Sequence, residues 1–157
     1  MMKIRLYKAA DRDACIAIFN SNVPLYFDAT EIRGLHHWLN AKDRGELAYK
    51  TNKQEVYYVL EENGVVVGCA GYYIPESEAR ANMVWGMVQR NEHKKGFGSI
   101  LLEYRIQQIK NTEPGLRITL DTSQHCNTFF EKFGFQTTKI TPDGYGQGLH
   151  RYDMIMK

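Results

Sequence analysis

The chain is poor in cysteine: Cys15, Cys69 and Cys126 are the only three in 157 residues, far apart and without a C-x-x-C pair. That spacing excludes a clamped zinc ion and a dithiol redox centre, so no metal is expected and the three read as buried thiols of a reducing compartment. No apolar run approaches the ~20 residues that a membrane helix requires. The opening MMKIRLYKAADRDACIAIF reaches charged residues before any apolar run of signal-peptide length, and the expectation is a cytoplasmic protein with no membrane partner. Charge of one sign is also scarce. A net charge of +2 is too small to mark a nucleic-acid surface, which needs basic residues gathered on one face. Internal repeats and low-complexity tracts are absent.

What is present belongs to an ordinary globular chain, 43% apolar and 24% charged. Its length suits one domain over residues 1–157, which removes roughly 70% of the unfolded surface from water without staples. Lys3 to Ala9 alternates as a strand does; Asp11 then stands as a cap before a helical stripe of Cys15, Ile16 and Phe19. Thr30 is the cap candidate for a second helix carrying Ile32, Leu35, Trp38 and Leu39. The span from Ala41 to Lys53 fits helix or loop. EVYYVLEENGVVVGCAGYYI predicts a hairpin about Asn63-Gly64, a pair that tolerates positive φ. A strand over Ala81 to Val88, a helix over Gly96 to Lys110, the strand LRITLD, a helix in QHCNTFFEKF, and the strands FQTTKIT and HRYDMIM about a loop PDGYGQGL complete the order. That order, β-α-α-β-β-β-α-β-α-β-β, predicts an α/β chain with a central mixed sheet of about seven strands, mostly antiparallel, and helices on both faces.

Between the fourth strand and the third helix lies VQRNEHKKGFGSILL. Gly96 and Gly98 have no Cβ, so a phosphate can approach the backbone, and the N–H groups that open the helix are unpaired and carry its positive dipole end. His93, Lys94 and Lys95 add donors and charge. No Gly-Lys-Ser/Thr follows, which excludes a Walker loop, and a dinucleotide fingerprint lacks its third glycine and its later acidic residue.

This segment resembles the acetyl-CoA signature of the GNAT superfamily of N-acetyltransferases, Q/R-x-x-G-x-G/A, with His93 at the Q/R position. FFEKFGF, Phe129 to Phe135, is similar to the family's late motif, and the element order agrees over nearly the whole chain. The resemblance implies transfer of an acetyl group from acetyl-CoA to a primary amine of a small molecule or peptide, by a monomer or homodimer. It implies that the amides of Lys94, Lys95, Gly96, Phe97, Gly98 and Ser99 hold the CoA pyrophosphate, and that Met87 and Val88 pair with the pantetheine arm as a neighbouring strand does. Ser123 and Gln124 stand where the family often has a cofactor-binding Asn.

Two of the family's catalytic groups are replaced. The tyrosine that protonates the departing thiolate is Phe130, and the carboxylate of the fourth strand is Asn82. A thiol of pKa near 8.5 leaves tolerably without an acid, and Tyr145 and Tyr152 are the candidates to supply one. The base matters more, because neutralising a lysine-like amine of pKa about 10.4 at pH 7 costs about 4.6 kcal/mol. Asp121 and His125, in LDTSQHC after the fifth strand, are the candidates. Tyr26, Phe27 and Tyr145 suggest an aromatic acceptor pocket, with Asp28, Glu31 and Asp143 available to a cationic amine. The rival readings are a non-catalytic CoA-binding regulator on the same fold, motivated by Phe130 and Asn82, and a nucleotide-binding enzyme using the glycine turn.

Overall fold

β1 (Met2–Leu6) ends earlier than its alternation suggests, because the next turn is held by side chains. The Asp11 carboxylate takes two hydrogen bonds of 2.8 Å from the Arg5 guanidinium and one of 2.9 Å from the Lys8 N–H. Asp11 thus stands at the N-cap of α1 (Arg12–Ser21), as the sequence suggested, but its side chain makes no capping bond there and instead ties the helix to the strand. The computed structural model describes residues 1–156.

α2 (Ile32–Arg44) is entered through a 3-10 turn at Ala29–Glu31. Asp28, not Thr30, is the cap: its carboxylate accepts from the Thr30 N–H at 3.0 Å, and Glu31 Oε2 accepts the Asp28 N–H at 2.9 Å. This reciprocal box satisfies donors that a helix start leaves open. The uncertain span resolves into helix up to Arg44 and then a loop, whose Ala48 and Tyr49 amides bind the Glu55 carboxylate.

β2 (Asn52–Glu62) and β3 (Val65–Pro75) form the expected hairpin, Asn63 and Gly64 both having positive φ. β4 (Arg80–Val88), α3 (Phe97–Thr112), β5 (Arg117–Ser123), the five-residue α4 (Asn127–Glu131), β6 (Phe135–Gly146) and β7 (Leu149–Met156) follow. The sheet order is β1-β2-β3-β4-β5-β7-β6, antiparallel throughout except where β4 meets β5. The mixed, mostly antiparallel seven-stranded sheet agrees with the sequence reading.

Alternation along the strands feeds two cores. Tyr57, Val59, Cys69 and Met87 pack against α1 and α2 with Phe19, Leu35 and Trp38. Tyr58, Tyr72, Met83 and Leu120 pack on the other face against Leu102 and Ile109 of α3. Cys15 and Cys69 are buried, whereas Cys126 is only half-buried, because α4 is short and leaves it at the helix entrance. No described helix is long and apolar enough to cross a membrane.

The stretch PDGYGQGL is not a loop. β6 runs on to Gly146 and the turn is Gln147-Gly148, with a shift of register between Thr141 and Gly146. A bulge of this kind re-aims side chains, and here it swings Tyr145 back over β5.

Candidate active site

β4 and β5 pair only from Arg80 to Asn82 against Arg117 to Thr119. Beyond that they part, so Met83–Val88 and Leu120–Ser123 face each other across a splay. β4 also carries one extra residue: between Gly71↔Val84 and Cys69↔Met87, β3 advances two positions and β4 three. Trp85, at the bulge, has φ +46°. Its carbonyl, lost to the ladder, accepts the Tyr57 hydroxyl at 2.8 Å.

The bulge decides which backbone groups face the splay. Met87 stands opposite Cys69, and the Gln89 N–H bonds Val67 O at 2.8 Å. Alternation therefore turns Val88, not Met87, away from β3. The Val88 carbonyl already accepts His93 Nε2 at 2.8 Å and Asn22 Nδ2 at 2.9 Å. Asn22 is 2% exposed and its Oδ1 has no partner.

Above the splay the chain turns twice through positive φ, at Lys94 (+68°) and Gly96 (+87°), and enters α3. Both residues are exposed, whereas Phe97 is buried against Leu101 and anchors the turn. A Cβ on Gly96 would meet nothing within 4 Å. The first helical bond is Ile100 N–H to Gly96 O at 3.1 Å; among the described residues the amides of 94–99 donate to no protein group. Lys95 pairs with Glu92 at 2.8 Å, and Gly98 lies under the Phe129 ring. Ser99 is half-buried on the first turn of α3.

Across the splay, Ser123 is 3% exposed and its Oγ accepts the His125 N–H at 3.3 Å. The Gln124 amide is occupied by the β6–β7 turn, bonding Gly148 O and the His150 N–H. Tyr26 sets its ring edgewise to both His93 (5.2 Å) and His125 (6.1 Å), with Arg90 over its face. It therefore joins the two sides of the mouth. Phe27 stacks on Phe19 and Trp85 in the core between the first two helices. Phe130 packs on Phe129 and Phe135.

An acidic group borders the splay. The Tyr145 hydroxyl donates to Asp121, whose other oxygen is 3.7 Å from Arg151. Burial, then the Asp121 charge, pushes the Tyr145 phenol well above its usual range. Gly146, beside it, abuts the Asp28 carboxylate and brings the arm of β6 to the start of α2. Glu31 is the residue here whose chemistry sequence pattern alone missed. Burial, and behind it the charges of Asp121 and Asp28, push its carboxyl up to about 7 against the pull of the Asp28 N–H. Asn82 is not free to act, since its Oδ1 accepts Thr119 Oγ1 at 2.8 Å. From Asn82 a cavity of about 340 Å³ runs past Asp121, Arg151 and Asp153 to the solvent.

Glu31 gives a stability test. Its folded pKa is raised, so the fold binds an extra proton, and stability falls as pH rises from the unfolded value near 4.3 to about 7. Glu31→Gln keeps an acceptor for the Asp28 amide but removes the charge. Melting temperatures are expected to match wild type at pH 4.5 and to exceed it at pH 8, by about 2–4 °C per kcal/mol recovered.

Residues 53–137 match the family described as acetyltransferase (GNAT) domain. No curated protein matches the chain in sequence. The fold is shared with the ribosomal-protein-S18-alanine N-acetyltransferase of Escherichia coli (TM-score 0.75, 16% identity, 99% of this chain and 93% of that one). It is shared with an N-acetyltransferase of Staphylococcus aureus Mu50 (0.74, 20%, 100% and 98%). A third similar structure is yncA of Salmonella typhimurium, solved with its cofactor acetyl-CoA (0.72, 20%, 100% and 94%).

Proposed function

The chain belongs to the GNAT acetyltransferase family, and on that premise we propose that it moves an acetyl group from acetyl-CoA directly to a primary amine of a small molecule or peptide. The observation that carries this reading is the pairing of an unzipped β4–β5 edge with six partnerless amides at the mouth of α3. An anion at a helix N-terminus meets both free donors and the dipole. The open cradle at Gly96 and the orphaned Oδ1 of Asn22 also fit a cofactor with a diphosphate and an amide-bearing arm.

The amides of Lys94 to Ser99 would hold the diphosphate, with His93 fixing the turn to β4 through Val88 rather than reaching for phosphate. The Val88 N–H and Asn22 Oδ1 would hold the arm. When bound, acetyl-CoA supplies an activated acyl group; the protein's task is orientation and proton traffic. Glu31, poised near 7, and Asp121 would take the proton from the acceptor ammonium, and the cavity beyond Asp121 would admit the amine. His125, on Tyr26 across the mouth, would shape the channel. Cys126 has no evident paired base, which favours direct transfer over an acyl-cysteine.

A thermal-shift series tests the reading. Acetyl-CoA and CoA should raise the melting temperature, and NAD and ATP should not. Thiol release against a panel of amines should then find an acceptor. Stabilisation by acetyl-CoA with no turnover supports a CoA-binding regulator; stabilisation by NAD or ATP alone overturns the acetyl-transfer reading.

A further inference from the structure

Arg105, on α3, is 4% exposed. Its Nε donates to Leu101 O at 3.2 Å and its Nη1 to Gly71 O at 3.1 Å, while Nη2 donates to no protein group among the described residues. No described carboxylate pairs with it. The groups that act on its charge are Tyr57, Cys69 and Tyr58, none of them a carboxylate; burial lowers the guanidinium to about 10, which leaves it a cation.

A buried charge without a counter-ion is costly, and the structural duty here does not require one. Gly71 O is served by Nη1, but any neutral amide could serve it. The free end of the guanidinium points elsewhere. Nη2 lies 3.1 Å, and Nη1 3.4 Å, from the place a Cβ on Gly86 would occupy. Gly86 is exposed and stands in the part of β4 that has left β5. Gly86 has no side chain to stand against the cation on this part of β4.

We propose that Arg105 is a catalytic residue, its Nη2 meeting, through the gap at Gly86, the negative charge that builds on the acyl oxygen and then on the departing sulfur. The proposal rests on the acetyl-transfer reading above. The amine lone pair forms the C–N bond as the carbonyl pair retreats to oxygen; its return breaks the C–S bond. Sulfur leaves with the electron pair and takes up the proton that nitrogen sheds. Arg105 gives up no proton. A fixed cation at this point stabilises a thiolate where Phe130 has no hydroxyl to protonate it.

The test needs no known acceptor. CoA is titrated on the protein and its thiolate followed by ultraviolet absorbance. In wild type the bound thiol should ionise about one unit or more below the ~8.5 of a free thiol. Arg105→Gln should lose that shift and Arg105→Lys keep part of it. Should Arg105→Gln fail to fold, Gly86→Ala decides: Gly86 has no positive φ, so alanine suits its backbone, and the methyl group, 3.1 Å from Nη2, closes the gap while Arg105 keeps its charge and gives by a few tenths of an ångström. With any acceptor from the amine panel, Gly86→Ala should lower kcat about 100-fold at an acetyl-CoA KM within about threefold of wild type. A bound thiol that ionises as in solution, or equally in all variants, overturns the role of Arg105 alone. CoA that fails to bind wild type overturns the acetyl-transfer reading, and this proposal with it.

Discussion

Gly96→Val is expected to abolish stabilisation by acetyl-CoA. At a hundredfold excess over Kd a ligand adds about 2.7 kcal/mol, roughly 5–10 °C in a chain of this size. Two effects combine in the variant. A β-branched residue does not accept φ +87°, so the turn must shift and its amides lose their common aim. The new side chain also projects into the open cradle where nothing now stands within 4 Å. Backbone strain alone would lower stability without touching ligand binding, and Gly115→Val separates the two. Gly115 has φ +89° and equally open surroundings, but lies after α3, away from the splay. It should lower the melting temperature as Gly96→Val does and leave the acetyl-CoA shift intact. An undiminished shift in Gly96→Val would remove the amide cradle from the site.

Trp38→Ala is expected to cost about 3–5 kcal/mol, the largest stability loss from a single position considered. The indole is fully buried on α2, edge-on to Tyr57 at 5.9 Å and under the Lys42 ammonium at 4.9 Å. Its Nε1 has no partner, so its contribution comes from packing, and Trp38→Phe should recover most of the loss. The effect reaches the site because Tyr57 holds the Trp85 carbonyl at the bulge of β4. Trp38→Ala should therefore weaken acetyl-CoA binding as well as the fold, whereas Leu39→Ala, buried on the same helix but with no ring to set against Tyr57, should act mainly on stability. Chemical denaturation with and without acetyl-CoA measures both.

The sequence carried much of this because its signals are local. Asn63-Gly64 needs only its own φ angles to define a hairpin, and two glycines before an apolar helical run need only their neighbours to open a helix with free amides. The third helix shows the limit of such patterns. Leu102 and Ile109 declare its buried face, yet Arg105, three residues beyond Leu102, shares that face and is buried with them. A helical stripe does not reveal an acceptor that arrives from a strand, and Gly71 O of β3 is such an acceptor. In the same way Val88 and Met87 are indistinguishable until the extra residue in β4 fixes which of them faces β3.

Glu31 shows the same division. As a sequence feature it closes a capping box with Asp28, and that local role is present. Its raised carboxyl arises from Asp121, ninety positions on, and from burial at the start of α2, beside which the arm of β6 comes to rest. The amino-acid order by itself determined the elements, their succession and the glycine turn, since each depends on torsions and contacts within a few residues. The tertiary structure alone decided which strand edges part, which charge lies behind Gly86 and which carboxyl sits near neutrality. Those properties are fields and distances between segments far apart in the chain, and they exist only once the sheet has brought those segments together.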